Sequence, residues 1–235
     1  RLDVDLLFNG GIGTYVGAAG ETDAEIRDAV NDRVRVKAGA LRARMVAEGG
    51  NLGFTQRARI EYALAGGRIN TDAIDNSAGV DMSDHEVNLK IGLQSAVESG
   101  ALAPAARNAL LEELTDDVAA RVLAHNRAQS RVLGLDHARS RTRLEDFREL
   151  MGELERSAGL DRALEALPDR DALRARRGTF LGLTRPELAV LMAYAKIHIQ
   201  RELLASAVPD DPLLAPFLAG YFPARWAARQ SVAEG

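Results

Sequence analysis

Short apolar runs that end in glycine-rich polar turns fill residues 1–100, and apolar positions at helical spacing fill residues 101–235. Val4, Leu6, Leu7 and Phe8 read as a buried parallel strand ending at Asn9-Gly10-Gly11. Thr22 and Glu25 form a capping-box pattern for a short helix that Asn31-Asp32 ends. Val34-Arg35-Val36 alternates like an exposed edge strand, and Ala38-Gly39-Ala40 turns the chain. Arg44 to Glu48 is the next strand, and it delivers Gly49-Gly50-Asn51 to its carboxyl end. Thr55 caps a helix carrying Ile60, Ala63 and Leu64, and Gly66-Gly67 stops it. After a brief strand at Arg68-Ile69-Asn70, residues 72–83 read as a polar loop containing the turn Asn76-Ser77-Ala78-Gly79-Val80. Ser83-Asp84-His85-Glu86 then reads as a second capping box, opening a helix that runs to about Glu98. The fold class expected is α/β followed by all-α, with loops at the carboxyl ends of strands shaping a ligand crevice.

The second portion repeats one theme. A long amphipathic run from Ala105 to His125 places Leu110, Leu111, Leu114, Val118 and Val122 on one face. Arg141 to Glu155 continues it through Leu144, Phe147, Met151 and Leu154. Thr184-Arg185-Pro186-Glu187 combines a capping box with an early proline, a strong helix start. Asp210-Asp211-Pro212 opens a last short helix, which Tyr221-Phe222-Pro223 closes.

Composition narrows the function classes. With 235 residues, 46% of them hydrophobic, the chain can bury a real core. A net charge of −4 disfavours nucleic acid or an anionic membrane as partner, and 5% aromatics is too few for a base-stacking surface. The absence of cysteine removes disulfides and thiolate zinc sites and suits a reducing, cytoplasmic setting. No apolar run is long enough to span a bilayer. The first residues are not a signal peptide; they lie inside a strand-like pattern without an initiator Met, so the chain is expected to begin partway through a larger polypeptide.

Candidate chemistry sits in the turns. Gly11-Ile12-Gly13 begins like a phosphate-cradling glycine pattern, but Val16 occupies the place of the third glycine. It reads as a strand-to-loop turn that lets a ligand pass close to the backbone, with pyrophosphate contact as the alternative. Ser83 reads as an N-cap, or as a hydroxyl beside orphan helix donors that bind a carboxylate. His85, read in a first helical turn, is a packing or solvated residue there, or a general base. His125, His137 and His198 are scattered without metal-ligand spacing, and no metal site is expected.

Four spaced motifs carry a resemblance: DLLFNGGIGTYV, EGGNLGFTQRARIEYAL, GGRINTDAIDNSAGVDMSDHEVNLK and GLTRPELAVLMAYAK. Together they resemble the large NAD-specific glutamate dehydrogenases of bacteria, within the glutamate dehydrogenase superfamily. The resemblance implies oxidative deamination of L-glutamate to 2-oxoglutarate and ammonia with NAD. It also implies that residues 1–100 are the C-terminal half of a Rossmann-like NAD-binding domain, with residues 101–235 a helical region that helps hold a homo-oligomer together. By the same resemblance Asn51 lies beside the nicotinamide and its ribose, and Asn76 at the nicotinamide–substrate junction. Asn9, Gly10, Gly11 and Gly50 face the cofactor. Val80 packs on the glutamate side chain and Ser83 binds its distal carboxylate. Gly50 stands for the usual alanine and Ser77-Ala78 for Ala-Gly, all small residues. The family's catalytic lysine and full glycine fingerprint match nothing in this chain, so no catalytic residue is assigned and the chain alone is expected to be inactive. Two further readings are a non-catalytic helical interaction module with a relic dinucleotide fold, and a dehydrogenase of leucine or phenylalanine. Ser83 disfavours the latter, since a hydroxyl would be left unpaired beside an apolar side chain.

Overall fold

The computed structural model describes residues 3–179, 181–224 and 226. Arg1, Leu2 and residues 227–235, the ends of the two expected domains, lie outside the described residues. Four short strands occupy the first 48 residues: β1 (Leu6–Asn9), β2 (Val16–Gly17), β3 (Val36–Lys37) and β4 (Met45–Glu48). Helices dominate afterwards, so the order is mixed α/β followed by all-α.

β1 pairs in parallel with β4, in a register that sets Asn9 opposite Glu48. β2 pairs in parallel with β3. Parallel pairs need a crossover, and residues 10–44 supply it. β1 is not the buried strand its composition suggests, because among the described residues β4 is its one strand partner and Phe8 remains 65% exposed. Arg68-Ile69-Asn70 contributes a single parallel bridge, Met45 to Arg68, rather than a strand.

Contacts divide the chain into two compact units. The first comprises residues 1–76 and 129–201, the second residues 77–128 and 202–235. In the first, Thr22 caps α1 (Asp23–Ile26) through a complete capping box. The Thr55 hydroxyl caps α2 (Gln56–Leu64) by accepting from the Ala58 N–H at 3.0 Å. Val16, Val46, Phe54, Ala58, Tyr62 and Ile69 bury together beneath these elements. A second cluster gathers Met151 and Leu154 of α7 (Leu144–Ser157), Leu173 of α8 (Arg170–Gly178) and Leu188 and Leu191 of α9 (Arg185–Leu204), together with Leu133 and Ile74. Glu187 accepts from the Thr184 N–H at 2.7 Å and takes a two-pronged contact from Arg176, which fixes the start of α9. Arg185 then donates to Asn70 at 2.7 Å and Gln56 to the Pro186 carbonyl at 3.1 Å. These bonds tie the start of α9 to the α/β portion just behind its turns.

The second unit holds α4 (Ser77–Glu98), α5 (Pro104–Glu113), the first half of α6 (Thr115–Ser140) and α10 (Ala215–Tyr221). Its core is Leu89, Leu93, Leu110, Leu114, Val118, Val122 and Trp226. Leu110, Leu114, Val118 and Val122 do share one face, but the run expected from Ala105 to His125 breaks at Leu114 into α5 and α6. The break is slight, since Val118 still donates to the Leu114 carbonyl at 3.0 Å.

The polar loop expected over residues 72–83 is helical instead. α3 (Asp72–Asp75) and α4 fill it, with Asn76 as the one turn residue between them. Ser83 is therefore not an N-cap but lies inside α4. Glu86 does not reach back to it: the carboxylate pairs forward with Lys90 at 2.5 Å. Ser-x-x-Glu satisfies a capping box and a mid-helix i,i+4 pair equally, and the buried stripe of His85, Leu89 and Leu93, with Ala78 partly buried beside it, decides for the longer helix.

Candidate functional site

The turns after β1 and β4 form one double bend. Gly49 and Gly50 both donate their N–H to the Asn9 carbonyl, at 2.9 and 3.0 Å. The Asn9 side-chain oxygen accepts from Gly11 at 3.3 Å. Gly50 lies so close to Gly11 that an added Cβ would overlap the Gly11 carbonyl oxygen and sit 2.9 Å from its carbon. Gly50 is therefore required by close backbone approach rather than by turn angle, whereas a Cβ at Gly11 would meet only ordinary contacts with Tyr15. The Asn9 amide nitrogen is buried without a hydrogen-bond partner among the described residues and packs against the open side of Gly53. Asn51 points outward, and its side-chain oxygen accepts from the Asn76 amide at 3.3 Å. Asn9, Gly10, Gly11, Gly50, Asn51 and Asn76 thus fall in one unit, with the two asparagine-bearing bends joined directly.

A buried charge network holds this bend, and its signal was spread too widely along the chain for pattern reading to find it. Glu48 is fully buried, and Arg59 of α2 grips its two oxygens at 2.7 and 2.9 Å. The same guanidinium lies 3.2 Å from Asp72, which accepts from the Leu52 N–H at 2.8 Å. Leu52 needs that anchor, because its φ of 62° is left-handed and disfavoured for a side-chain-bearing residue. Asp75 accepts from the Glu48 N–H at 3.0 Å and from Asn70 at 2.6 Å. Burial pushes the Asp75 and Glu48 carboxyls above their ordinary range, with Asn70 and Arg59 respectively opposing the shift, and Arg59 itself stays charged. These carboxylates point inward and are engaged, so the bend presents amides and backbone N–H groups rather than an open acid or base. A cavity of about 570 Å³ lined by Asp5, Arg44, Tyr62 and Arg68 lies at the other, amino end of β1 and β4.

Val80 and Ser83 belong to the second unit. Both are exposed on α4, and their spacing of three places them on one face. The orphan donors of that helix belong to the turn beginning at Ser77, so the helix-end argument for Ser83 fails while its exposed hydroxyl remains. His85 is also not in a first turn. It is fully buried in the middle of α4, where burial lowers its pKa against the pull of Asp81. Nor are the histidines all scattered: His85 and His125 stack with centroids 6.0 Å apart, Asp81 between them. His137 and His198 are carried by α6 and α9 in the first unit. Among the described residues, no helix is long and apolar enough to cross a membrane.

Residues 1–136 match the family model described as bacterial NAD-glutamate dehydrogenase, catalytic domain, and residues 181–231 match glutamate dehydrogenase, C-terminal. The chain is similar to proteins named NAD-specific glutamate dehydrogenase. It is 50% identical over 224 residues to that of Pseudomonas aeruginosa, 48% over 223 to that of Mycobacterium tuberculosis, and 47% over 226 to that of Halomonas elongata. These matches cover 95–96% of this chain but 14% of each relative's length.

Proposed function

The chain belongs to the family of bacterial NAD-glutamate dehydrogenase catalytic domains, and from that premise we propose that it forms part of an enzyme that oxidatively deaminates L-glutamate to 2-oxoglutarate and ammonia with NAD. The observation that carries this reading is the double bend, with Asn51 and Asn76 joined at 3.3 Å at the carboxyl ends of a parallel strand pair. Ligands of open α/β sheets bind there. In this reading residues 1–100 are the back half of a Rossmann-like fold, and residues 101–235 its helical companion. Asn9, Gly10, Gly11 and Gly50 shape the cofactor-facing surface, and its three glycines let a planar ring approach without meeting a Cβ at those positions. The exposed Asn51 amide and its partner Asn76 hydrogen-bond the carboxamide or ribose of NAD, which when bound accepts hydride from the substrate. Val80 and Ser83, sharing one exposed face of α4, receive the aliphatic chain and distal carboxylate of glutamate.

A homo-oligomer in a cytoplasmic setting belongs to the same proposal. Its support is the exposure of three large apolar side chains close in sequence, Leu213, Phe217 and Leu218, the last two on α10. That set is also what a helical interaction module would show, so activity has to separate the two readings. In the full-length enzyme, Ser83→Ala should lower kcat/KM for glutamate by about 1.5–3 kcal/mol, roughly ten- to hundred-fold, the worth of a hydrogen bond to a charged group. Its kcat/KM for leucine should stay unchanged. Absence of glutamate-dependent NADH formation by the unmutated enzyme, or equal loss on both substrates, would overturn the assignment.

A further inference from the structure

Asp81 and His85 stand one helical turn apart on α4, and α6 brings His125 against them, all within the second unit. One ligating atom from each lies within 4.8 Å of the others. The His125 Nδ1 is 2.8 Å from one Asp81 oxygen, and the His85 Nε2 is 3.6 Å from the other. Donors about 2.0–2.1 Å from a tetrahedral zinc are separated by roughly 3.3 Å, so both observed spacings need only rotamer adjustment to share one ion.

His85 supplies an independent observation. It is 0% exposed, yet neither ring nitrogen has a hydrogen-bond partner among the described residues. A buried imidazole normally satisfies both nitrogens, and one that does not calls for a ligand or ion. Its ring plane is held by Tyr221, stacked at 4.5 Å and 17°, and Tyr221 is itself fixed by the Asn88 amide at 2.7 Å. Burial lowers the His85 pKa, and a neutral imidazole offers metal a lone pair. Asp81 and His125 are partly exposed, which leaves a solvent path and an open coordination position. Arg121 and Asp84 are the further charges that act on His85; Arg121 is engaged by the Gly220 and Phe222 carbonyls.

We propose that Asp81, His85 and His125 form a site for a divalent transition cation of the zinc class, bracing α4 against α6. Two imidazoles and one carboxylate suit zinc and its neighbours rather than calcium or magnesium, which prefer all-oxygen shells. Ser83 lies about 200° around the helix from Asp81, so the ion would steady the helix that carries the exposed Val80–Ser83 face without occupying that face.

The test uses full-length protein stripped with a chelator and titrated with cobalt(II), whose ligand-field absorption reports imidazole coordination, followed by displacement with zinc. The unmutated protein should take up one cobalt at this site, and the ion should raise its unfolding temperature. Asp81→Asn and His125→Ala, both at partly exposed positions, should each weaken uptake by roughly ten- to hundred-fold or more and abolish the thermal shift, with unchanged circular dichroism. No uptake by the folded unmutated protein, or equal uptake by it and both variants, overturns the proposal.

Discussion

Replacing Arg59 by methionine probes what holds the double bend together. The guanidinium makes two contacts with Glu48 and one with Asp72, and both Arg59 and Glu48 are nearly or wholly excluded from solvent. Losing one partner of such a pair leaves an uncompensated buried charge, which costs about 3–5 kcal/mol. Glu48 would retain the Phe54 N–H at 3.2 Å as a donor, too little to offset burial. The protein can limit the loss by protonating Glu48, whose pKa burial already raises and which Arg59 no longer pulls down. The sign follows. A carboxyl with a folded pKa above its unfolded value binds more protons when folded, so stability falls as pH rises from the unfolded pKa of 4.5 through the folded one. The deficit of Arg59→Met should therefore grow with pH, by at most about 1.4 kcal/mol per unit. Urea unfolding followed by circular dichroism on both sides of neutrality measures it. Adding Glu48→Gln should recover much of the loss at high pH, because the buried charge is gone. Amide exchange at Leu52 should quicken in the single variant, since Asp72 loses its cation. A single variant within about 1 kcal/mol of the parent at every pH would refute the claim that this pair holds the bend.

Two further outcomes test the packing. Gly50→Ala should destabilise by about 1–3 kcal/mol, because the new methyl meets Gly11 backbone, which cannot rotate away; it should also weaken NAD binding in the full-length enzyme, and a neutral variant in both calorimetry and cofactor titration would contradict the close approach. Leu114→Ala, at a fully buried position where α5 gives way to α6, should cost about 2–5 kcal/mol in thermal unfolding, and a loss under about 1 kcal/mol would mean the second unit's core does not run through that junction.

Local chemistry was legible in the residues themselves. Thr22 and Thr55 cap the helices their neighbours announce, Gly66-Gly67 ends α2, and the strand ending at Glu48 hands over to Gly49-Gly50-Asn51 as its spacing implies. The four motifs pointed to the family that residues 1–136 match. Each of these signals is complete within a few neighbouring residues, which is why no tertiary knowledge was needed.

The rest depended on what packs against what. Ser83 and Glu86 fit a cap and a helix interior equally, and burial of His85, Leu89 and Leu93 chose the interior. Leu114 could have continued one long helix or ended it. Glu48, Arg59, Asp72 and Asp75 lie up to 27 positions apart, and His85 and Asp81 lie 40 or more from His125; nothing in their spacing shows that they meet. A buried ion pair or a ligand cluster is a property of distances across the fold, and such distances exist only once desolvation has forced distant side chains to answer one another's charge.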